Sequence, residues 1–252
     1  MKVKLLAHTV LSSEFLQSTQ QNEDLYDSIT SDEITSGQAV ALTAIRTCYS
    51  SNKPSEIVAI EGEKYFGRKA TDGEKGNEAD RLIRFIVKSG HTSTLEHITF
   101  TFALEGVSRA LLAQLTRHRV GFSFSVQSQR YVKQSSDSKH GGFDYVVPEK
   151  VKAKGEEVIR AYENMMKDVQ YKYDYLISQG IPQEDARSIL PNAATTNLVL
   201  TVNLRSLLDF YSKRRKGKGA QHEITELAER LREEVVKVEQ WTNEFFKGGK
   251  DI

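Results

Sequence analysis

The sequence predicts an α+β fold in a single domain, residues 1–252, with a mixed or antiparallel sheet flanked by helices. Three observations support this class. Residues 98–104 and 196–202 show the apolar and β-branched pattern of strands. The segments between and after them repeat apolar residues at helical spacing, with the longest helices expected in the C-terminal half. No internal repeat and no linker rich in Pro or Gly divides the chain.

The N-terminal part is expected to open with a strand at residues 1–8, because the apolar run there is too short and too interrupted for a signal peptide. Helices are predicted at residues 38–47 and 79–88, where apolar residues fall on one face. The polar, turn-rich segments at residues 18–37 and 50–78 are interpreted as surface loops.

After the strand at residues 98–104, the middle of the chain is expected to form a helix and then a loop. Ser108 is a suitable N-cap for a helix that runs through Leu115. That helix would present residues 117–119 at its C-terminal end. Residues 134–142 have the composition of a loop.

The C-terminal part begins with a long amphipathic helix predicted at residues 151–179. Its apolar stripe is interpreted as core and comprises Val158, Ala161, Tyr162, Met165, Val169, Tyr173 and Leu176. A short helix opened by Pro182 comes next, followed by the strand at residues 196–202. Helices at residues 204–212 and 221–246 complete the prediction.

Composition excludes several classes of protein. Lys and Arg number 35 against 34 Asp and Glu, so no global field favours nucleic acid or an anionic membrane. The single cysteine, Cys48, excludes an intrachain disulfide and any CxxC zinc site, and it favours a reducing compartment. No apolar stretch approaches the roughly 18 residues of a membrane span. We therefore expect a cytoplasmic protein that binds neither membrane nor nucleic acid.

The densest set of chemistry-bearing side chains lies in residues 117–131, which hold three arginines, one histidine and three serines. Arginine forks and serine hydroxyls bind oxyanions, and Gly121 allows a close backbone approach. The alternative is a helix end whose cations meet the helix dipole, followed by a serine-rich loop. The two arginines that flank one histidine favour a binding site.

Other polar segments are weaker signals. His91, Glu96 and His97 lie close together, but their spacing is not HExxH, so no metal site is predicted. Arg187 and Arg205 each stand among apolar residues, and for either one alone a structural ion pair is the favoured interpretation.

The basic run at residues 213–218 is typical of either a nucleic-acid patch or a solvated helix end. It has no interleaved aromatic residues, and glutamates follow it at once. Cys48 has no adjacent histidine and is interpreted as a small buried residue rather than a nucleophile. The sequence also lacks the GxGxxG and GxxxxGK[ST] nucleotide-binding motifs.

From Arg117-His118-Arg119 to Ser128-Gln129-Arg130-Tyr131 the sequence resembles the signature of flavin-dependent thymidylate synthases. Further blocks of that family match in the same order: residues 90–97, Gln114, residues 186–191, 203–207 and 220–224. The resemblance spans roughly residues 40–236, and several ordered blocks are far more specific than one motif.

The resemblance implies synthesis of dTMP from dUMP, with methylenetetrahydrofolate as carbon donor, FAD as redox relay and NADPH as reductant. It also implies a homotetramer with FAD at the subunit interfaces, which would explain flavin binding without GxGxxG.

The resemblance assigns roles to individual residues. Those implied to contact FAD are Cys48, which replaces a serine, Ser93, Glu96, Arg117, His118, Arg119, Asn203 and Arg205. Those implied to contact dUMP are Gln114, Arg117, Gln127, Ser128, Gln129, Arg130, Tyr131, Arg187 and either Arg214 or Arg215. The implied catalytic residues are His91, Ser128 and either Arg214 or Arg215. The resemblance also places His91 and Tyr131 where the folate and flavin rings meet.

Residue chemistry agrees with these roles. A nucleotide phosphate needs forked donors, and a uracil ring that gains negative charge needs a nearby cation. This family needs no enzyme nucleophile, which suits Cys48.

Two departures from the family pattern concern the spacing of the motifs. Eight residues, 120–127, separate Arg-His-Arg from the serine where seven are usual, so a bulge is expected within residues 120–122. Residues 214–220 also contain one residue more than the pattern, which leaves the choice between Arg214 and Arg215 open. Lys218 or Gly219 replaces a flavin-contacting histidine.

Two rival functions remain at this point. A nucleic-acid-binding protein would use residues 117–130 and 213–218 on phosphates and would bind polymers with a steep salt dependence. A metal-dependent phosphohydrolase would use His91, His97 and His118.

Overall fold

Four antiparallel strands form the centre of the computed structural model, which describes residues 1–247. The strands are β1 (Lys2–His8), β2 (Thr99–Ser108), β3 (Phe122–Val126) and β4 (Thr195–Asn203), in the spatial order β1-β2-β4-β3. β2 and β4 are the two inner strands, with Phe102 opposite Leu200. Because both alternate buried with more exposed residues, one face of the sheet packs on the core.

Helices occupy most of the remaining chain. The α-helices within the described residues are α1 (Ser13–Thr19), α2 (Glu23–Thr30), α3 (Ser36–Thr47), α4 (Ile57–Phe66), α5 (Glu78–Lys88), α6 (Arg109–Leu115), α7 (Glu149–Lys152), α8 (Glu156–Ser178), α9 (Gln183–Ala186), α10 (Leu204–Arg214), α11 (His222–Val238) and α12 (Asn243–Lys247). Short 3₁₀ helices lie at Thr92–His97, Arg187–Ile189 and Gln240–Thr242.

The main core lies between the sheet and α6, α10 and α11. Phe100 and Phe102 on β2 are fully buried in one cluster with Phe210 of α10 and Leu227 of α11. This cluster fixes the ends of β2 and β4, where the chain turns into α6 and α10. The predicted α+β class with an antiparallel sheet and long C-terminal helices is confirmed.

The loops predicted at residues 18–37 and 50–78 are wrong in part. α2 and α4 lie within them and form a second buried cluster that includes Leu25, Ile29 and Tyr65. Polar residues dominate both segments, but a few apolar residues at helical spacing are enough to bury one face.

The serine-rich loop considered after residue 121 is instead strand β3, which pairs with β4. Phe122, Phe124 and Val126 alternate with two more exposed serines, which is the period of a strand with one packed face.

Two long helices predicted in the C-terminal half are interrupted. Gly155 has a φ of +94°, which separates α7 from α8, and α11 ends at Val238 rather than continuing to residue 246. The apolar stripe of α8 is also only partly core. Tyr173 is fully buried, whereas Val158 and Met165 are exposed.

The described residues contain no helix long and apolar enough to cross a membrane. Their sheet and helices share one main core, with the smaller cluster against it. The predicted extent of the domain to residue 252 includes residues 248–252, which lie outside the described part of the chain.

Candidate functional site

His118 lies at the centre of the first group of predicted site residues, just after α6. Its ring packs edge-on against the ring of Phe210, with 4.9 Å between the ring centroids, and its centroid lies 5.8 Å from that of Phe122. Arg214 Nε donates a hydrogen bond to His118 Nε2 at 3.2 Å. Since Nε2 accepts this bond, a neutral ring carries its proton on Nδ1.

The pKa of His118 is lowered from its ordinary value. Burial of the ring is the main cause, and the positive charges of Arg214, Lys213 and Arg117 act in the same direction. Asp209 opposes them. The imidazole is therefore neutral at pH 7.

A turn at Val120 and Gly121 separates Arg-His-Arg from β3. Gly121 has a φ of +69°, and a Cβ there would clash with the side chains of Asn203 and Ser206. Val120 is 84% exposed beside it. The bulge predicted within residues 120–122 thus corresponds to a turn at Val120 and Gly121 that brings Asn203 against the backbone.

The beginning of α10 connects to the 3₁₀ helix at Thr92–His97. Asn203 Oδ1 accepts from Ser206 N at 2.9 Å and caps α10, while Arg205 forms an ion pair with Glu96. The structural ion pair favoured for Arg205 is thus present, and it joins two residues of the implied flavin set. Ser93, on the same 3₁₀ helix, is exposed.

His91 and Cys48 lie on the outer side of this region. His91 Nδ1 is 3.2 Å from the hydroxyl of Tyr49. Cys48 is exposed at the C-terminal end of α3, so the interpretation as a small buried residue is wrong. Its thiol contacts the Ala44 carbonyl oxygen at 3.7 Å.

Arg214 and Arg215 diverge at the end of α10. Arg214 turns toward His118, whereas Arg215 Nε is buried without a hydrogen-bond partner among residues 1–247. Burial and a hydrogen bond to Glu229 raise the pKa of the neighbouring Tyr211 to about 12. The positive charges of Arg232 and Arg215 act against this rise.

The second group of predicted site residues follows β3. Ser128 Oγ accepts from Arg130 N at 3.2 Å, which closes the turn after the strand. Arg130 Nε forms an ion pair with Glu184 Oε2 at 2.9 Å, and Arg187 Nε donates to the Glu184 carbonyl oxygen at 3.1 Å. Glu184 therefore contacts both arginines, Arg130 through its carboxylate and Arg187 through its carbonyl oxygen. The structural ion pair favoured for Arg187 is not formed within residues 1–247.

Two neighbouring cavities of about 430 Å³ share Glu184. One is lined by Arg130, Tyr131, Lys133, Ile177, Gly180, Ile181, Pro182, Gln183 and Glu184. The other is lined by Arg109, Gln129, Glu184, Arg187, Ser188, Leu190 and Asn192. Tyr131 is 79% exposed, and the Arg130 guanidinium lies over its ring at 5.7 Å from the centroid.

Gln114 and Gln127 belong to neither group by direct contact. Gln114 Nε2 donates to Gln221 Oε1 at 2.5 Å, at the beginning of α11. Gln127 Oε1 accepts from Asn197 Nδ2 at 3.2 Å. In a single chain, both side-chain amides therefore bind other side chains of the protein.

The two groups lie at opposite ends of β3. Residues 117–119 precede Phe122, and residues 128–130 follow Val126. At about 3.3 Å per residue, the strand alone separates them by about 13 Å. Sequence analysis did not select Glu184 or Tyr49; the acidic Glu184 beside Asp185 looked like an ordinary helix N-terminus.

The residues behind the two rival functions have the following contacts in the described part of the chain. His91, His97 and His118 form no metal-binding cluster, since no group of three or more His, Cys, Asp or Glu side chains is suitably placed in residues 1–247. Within the basic run, Lys213 forms an ion pair with Asp209 on the same helix.

Comparison with known proteins agrees with the resemblance. The Thy1 family, described as thymidylate synthase complementing protein, matches residues 30–239. A flavin-dependent thymidylate synthase of Geobacter sulfurreducens is 41% identical over 190 residues, which cover 75% of this chain and 73% of that protein.

Two solved structures share the fold. One is a UMP/dUMP methylase, PolB from Streptomyces cacaoi, bound with 5-Br dUMP. It aligns with a TM-score of 0.68 and 21% sequence identity, and the alignment covers 100% of this chain and 97% of the PolB chain. Thymidylate synthase X of Helicobacter pylori with FAD and dUMP has a TM-score of 0.62 and 23% identity, covering 98% of both chains. With a family match over most of its length, the chain belongs to the Thy1 family, the family of the flavin-dependent thymidylate synthases.

Proposed function

We propose that this protein methylates dUMP to dTMP, with FAD as redox relay, methylenetetrahydrofolate as carbon donor and NADPH as reductant. The observation that carries the proposal is the convergence of Arg130 and Arg187 on Glu184 beside Ser128. The Glu184 carboxylate holds Arg130, and the carbonyl oxygen of the same residue holds Arg187, so both guanidinium groups lie beside Glu184, where a tetrahedral oxyanion can accept from them.

The nucleotide phosphate would exchange places with the Glu184 side chain. Arg130 is 52% and Glu184 49% exposed at the side chain, so their ion pair is weak and breaks at low cost. Arg130 and Arg187 then donate to the phosphate oxygens, and the Ser128 hydroxyl adds a donor. Tyr131, stacked on Arg130, limits the movement of the guanidinium.

Arg214 is the residue we assign to the uracil ring. Its hydrogen bond to neutral His118 holds the Arg214 guanidinium beside the residues assigned to FAD, whereas Arg215 makes no such contact among residues 1–247. A fixed cation stabilises negative charge on the uracil carbonyl oxygens as the ring is activated. Among residues 1–247 the exposed Cys48 thiol forms a hydrogen bond with the Ala44 carbonyl oxygen and with no basic side chain, and no thiolate attack is assigned to it.

The residues around His118 fit FAD. Arg117 and Arg119 are exposed cations suited to the pyrophosphate, and Gly121 allows the Asn203 side chain to approach the backbone closely. Asn203, Arg205 with Glu96, and Ser93 supply further polar groups. When bound, FAD supplies the hydride transfer that no side chain can perform. The residues bind and orient it, and the neutral His118 avoids an additional positive charge there.

His91 and Tyr131 are assigned to the place where the folate and flavin rings meet. Both are exposed aromatic side chains in a single chain, and the Tyr49 hydroxyl orients the His91 ring. A stacked ring on either would exclude water from the transferred carbon.

A homotetramer with FAD at the subunit interfaces would bring the two groups together. In one chain they lie at opposite ends of β3, so a second copy that contributes one group next to the other completes the site. Exposed apolar and aromatic side chains on α8 are available for such a contact; they are Val158, Met165, Tyr171 and Tyr175. We also propose a cytoplasmic location and no nucleic-acid partner.

The test is formation of dTMP from dUMP by the purified protein with FAD, methylenetetrahydrofolate and NADPH, measured by chromatography. Omission of each component in turn is the control. The proposal predicts dTMP only when all are present. Failure to form dTMP with FAD bound and all substrates present would contradict it. The assembly is tested separately by analytical ultracentrifugation, and an active form with a mass other than that of four chains would contradict the homotetramer.

A further inference from the structure

Glu61, on α4, is a buried acidic residue that neither the motifs nor the family blocks select. It lies against the turn at the end of α3, residues 46–52, which carries Cys48 and Tyr49. We propose that Glu61 is a positioning residue for the methylenetetrahydrofolate side of the active site and acts through Tyr49 on His91. This inference rests on the proposed function, because it concerns the folate step of the same reaction.

Apolar burial does not fix the conformation of this turn. Ile45 and Ile57 are fully buried on either side of it, whereas every side chain in residues 46–56 is exposed or only half-buried. A segment with few buried apolar contacts opens easily unless other contacts hold it. The geometry of the turn therefore depends on its hydrogen bonds and ion pairs.

Glu61 supplies these contacts from one carboxylate. Its Oε2 accepts from Arg46 Nε at 2.6 Å, and its Oε1 accepts from Ser50 Oγ at 2.5 Å and from Asn52 Nδ2 at 2.9 Å. Ser50 Oγ in turn accepts from Asn52 N at 3.1 Å. The Arg46 guanidinium also lies over the Tyr65 ring, 5.5 Å from the centroid, which limits its movement. Three residues of the turn are thus joined to α4 through Glu61.

The negative charge of Glu61 strengthens these hydrogen bonds. Burial alone would raise the pKa of the carboxyl, but the hydrogen bonds from Ser50, Arg46 and Asn52 hold the pKa below its ordinary value, so the group is ionised at pH 7. Its partner Arg46 is only 19% exposed at the side chain. Glutamine in place of Glu61 keeps the size of the side chain but leaves this guanidinium without its counterion, which loosens the turn.

Tyr49 connects the turn to the site. Tyr49 N and Ser50 N donate to the Arg46 carbonyl oxygen at 2.9 and 2.7 Å, so the position of Tyr49 follows that of Arg46. The Tyr49 hydroxyl lies 3.2 Å from His91 Nδ1. The phenol donates to Nδ1 of the neutral ring, which leaves the ring proton on Nε2. Tyr49 therefore sets both the tautomer and the orientation of the ring that we assign to folate.

The experiment measures dTMP formation at saturating FAD and NADPH, with methylenetetrahydrofolate and dUMP varied in turn, for the wild type and Glu61→Gln. We expect the KM for methylenetetrahydrofolate to rise about 5- to 30-fold, as for loss of a hydrogen bond to a charged group, and the KM for dUMP to stay unchanged. Glu63→Gln removes the same charge from an exposed position on α4. It is the matched control and should change neither KM.

Tyr49→Phe distinguishes positioning from a general loss of stability. This variant removes the hydroxyl and should raise the KM for methylenetetrahydrofolate by a similar factor. Because Glu61 acts through that hydroxyl, adding Glu61→Gln to Tyr49→Phe should cause no further rise, whereas independent effects would multiply.

An unchanged KM for methylenetetrahydrofolate in Glu61→Gln, or effects that multiply in the double variant, would overturn the assignment. Ser50→Ala removes one donor to Glu61 from the turn and should raise the same KM; this variant decides the matter if Glu61→Gln does not fold. A wild type that forms no dTMP, or forms it without methylenetetrahydrofolate, would instead contradict the proposed function. Wild-type kinetics that persist in Glu61→Gln contradict only the role of Glu61.

Discussion

Replacement of Glu184 by glutamine tests whether this carboxylate competes with the substrate phosphate. In the structure Glu184 Oε2 is 2.9 Å from Arg130 Nε, and each side chain is about half exposed. Glutamine keeps the size of the side chain but removes the charge. We expect Glu184→Gln to bind dUMP more tightly than the wild type.

The size of the effect follows from two contributions. Loss of the exposed ion pair, which substrate otherwise has to break, accounts for about 0.2–1 kcal/mol. A phosphate held by Arg130 would still be repelled by the Glu184 carboxylate; for an assumed separation of about 6 Å, the repulsion of a dianion in water is about 1.4 kcal/mol. With partial screening by salt, the total is about 1–2 kcal/mol, a dUMP affinity about 5- to 30-fold higher.

The assay is calorimetric titration of dUMP and deoxyuridine at low salt and at about 0.5 M salt. Affinity for deoxyuridine should not change, and the gain for dUMP should shrink at high salt because the repulsion is screened. Asp185→Asn, next in the chain and outside both cavities, is the matched control. Weaker dUMP binding by Glu184→Gln would refute the reasoning, since it would make Glu184 a positioning group for Arg130.

Three further predictions concern binding, catalysis and stability. Arg187→Ala should weaken dUMP binding about 10- to 100-fold and keep FAD bound; unchanged affinity in a titration would remove Arg187 from the site. The Cys48→Ala variant should form dTMP at the rate of the wild type, since no thiolate takes part in the reaction. Loss of activity in a folded, flavin-loaded variant would disprove this. Burial raises the pKa of Glu239, despite hydrogen bonds from Gly37, Thr35 and Trp241. Stability from this group is full below the unfolded value of about 4.5 and is lost as pH rises through the folded pKa. Glu239→Gln should therefore flatten this loss in thermal melts between pH 4.5 and 8, whereas parallel curves would contradict the sign.

The central elements of the fold could be predicted because their sequence periods are clean. β2 and β4 alternate, and α6 begins at a serine cap that the structure reproduces, with Ser108 Oγ accepting from Leu111 N. α2 and α4 were missed because their few buried residues stand among many polar ones. β3 was missed although Phe122 to Val126 alternates, because its serines indicated a loop.

The candidate site was predicted from motif resemblance rather than from spacing alone. The ordered blocks selected Arg130 and Arg187, which the structure joins through Glu184. The contact between Arg130 and Glu184 joins residues 54 positions apart and therefore depends on tertiary structure. The sequence alone contains no signal that selects Glu184. The proposal that Arg214 rather than Arg215 faces the uracil ring likewise depends on the hydrogen bond between Arg214 and His118, which the sequence alone does not show.

The most direct test of the central claim is a visible absorption spectrum of the purified protein, recorded with FAD and again after dUMP is added. A site that holds flavin beside the nucleotide predicts a bound-flavin spectrum that dUMP perturbs, and deoxyuridine at the same concentration should perturb it far less. No flavin uptake, or a flavin spectrum indifferent to dUMP, would contradict the account.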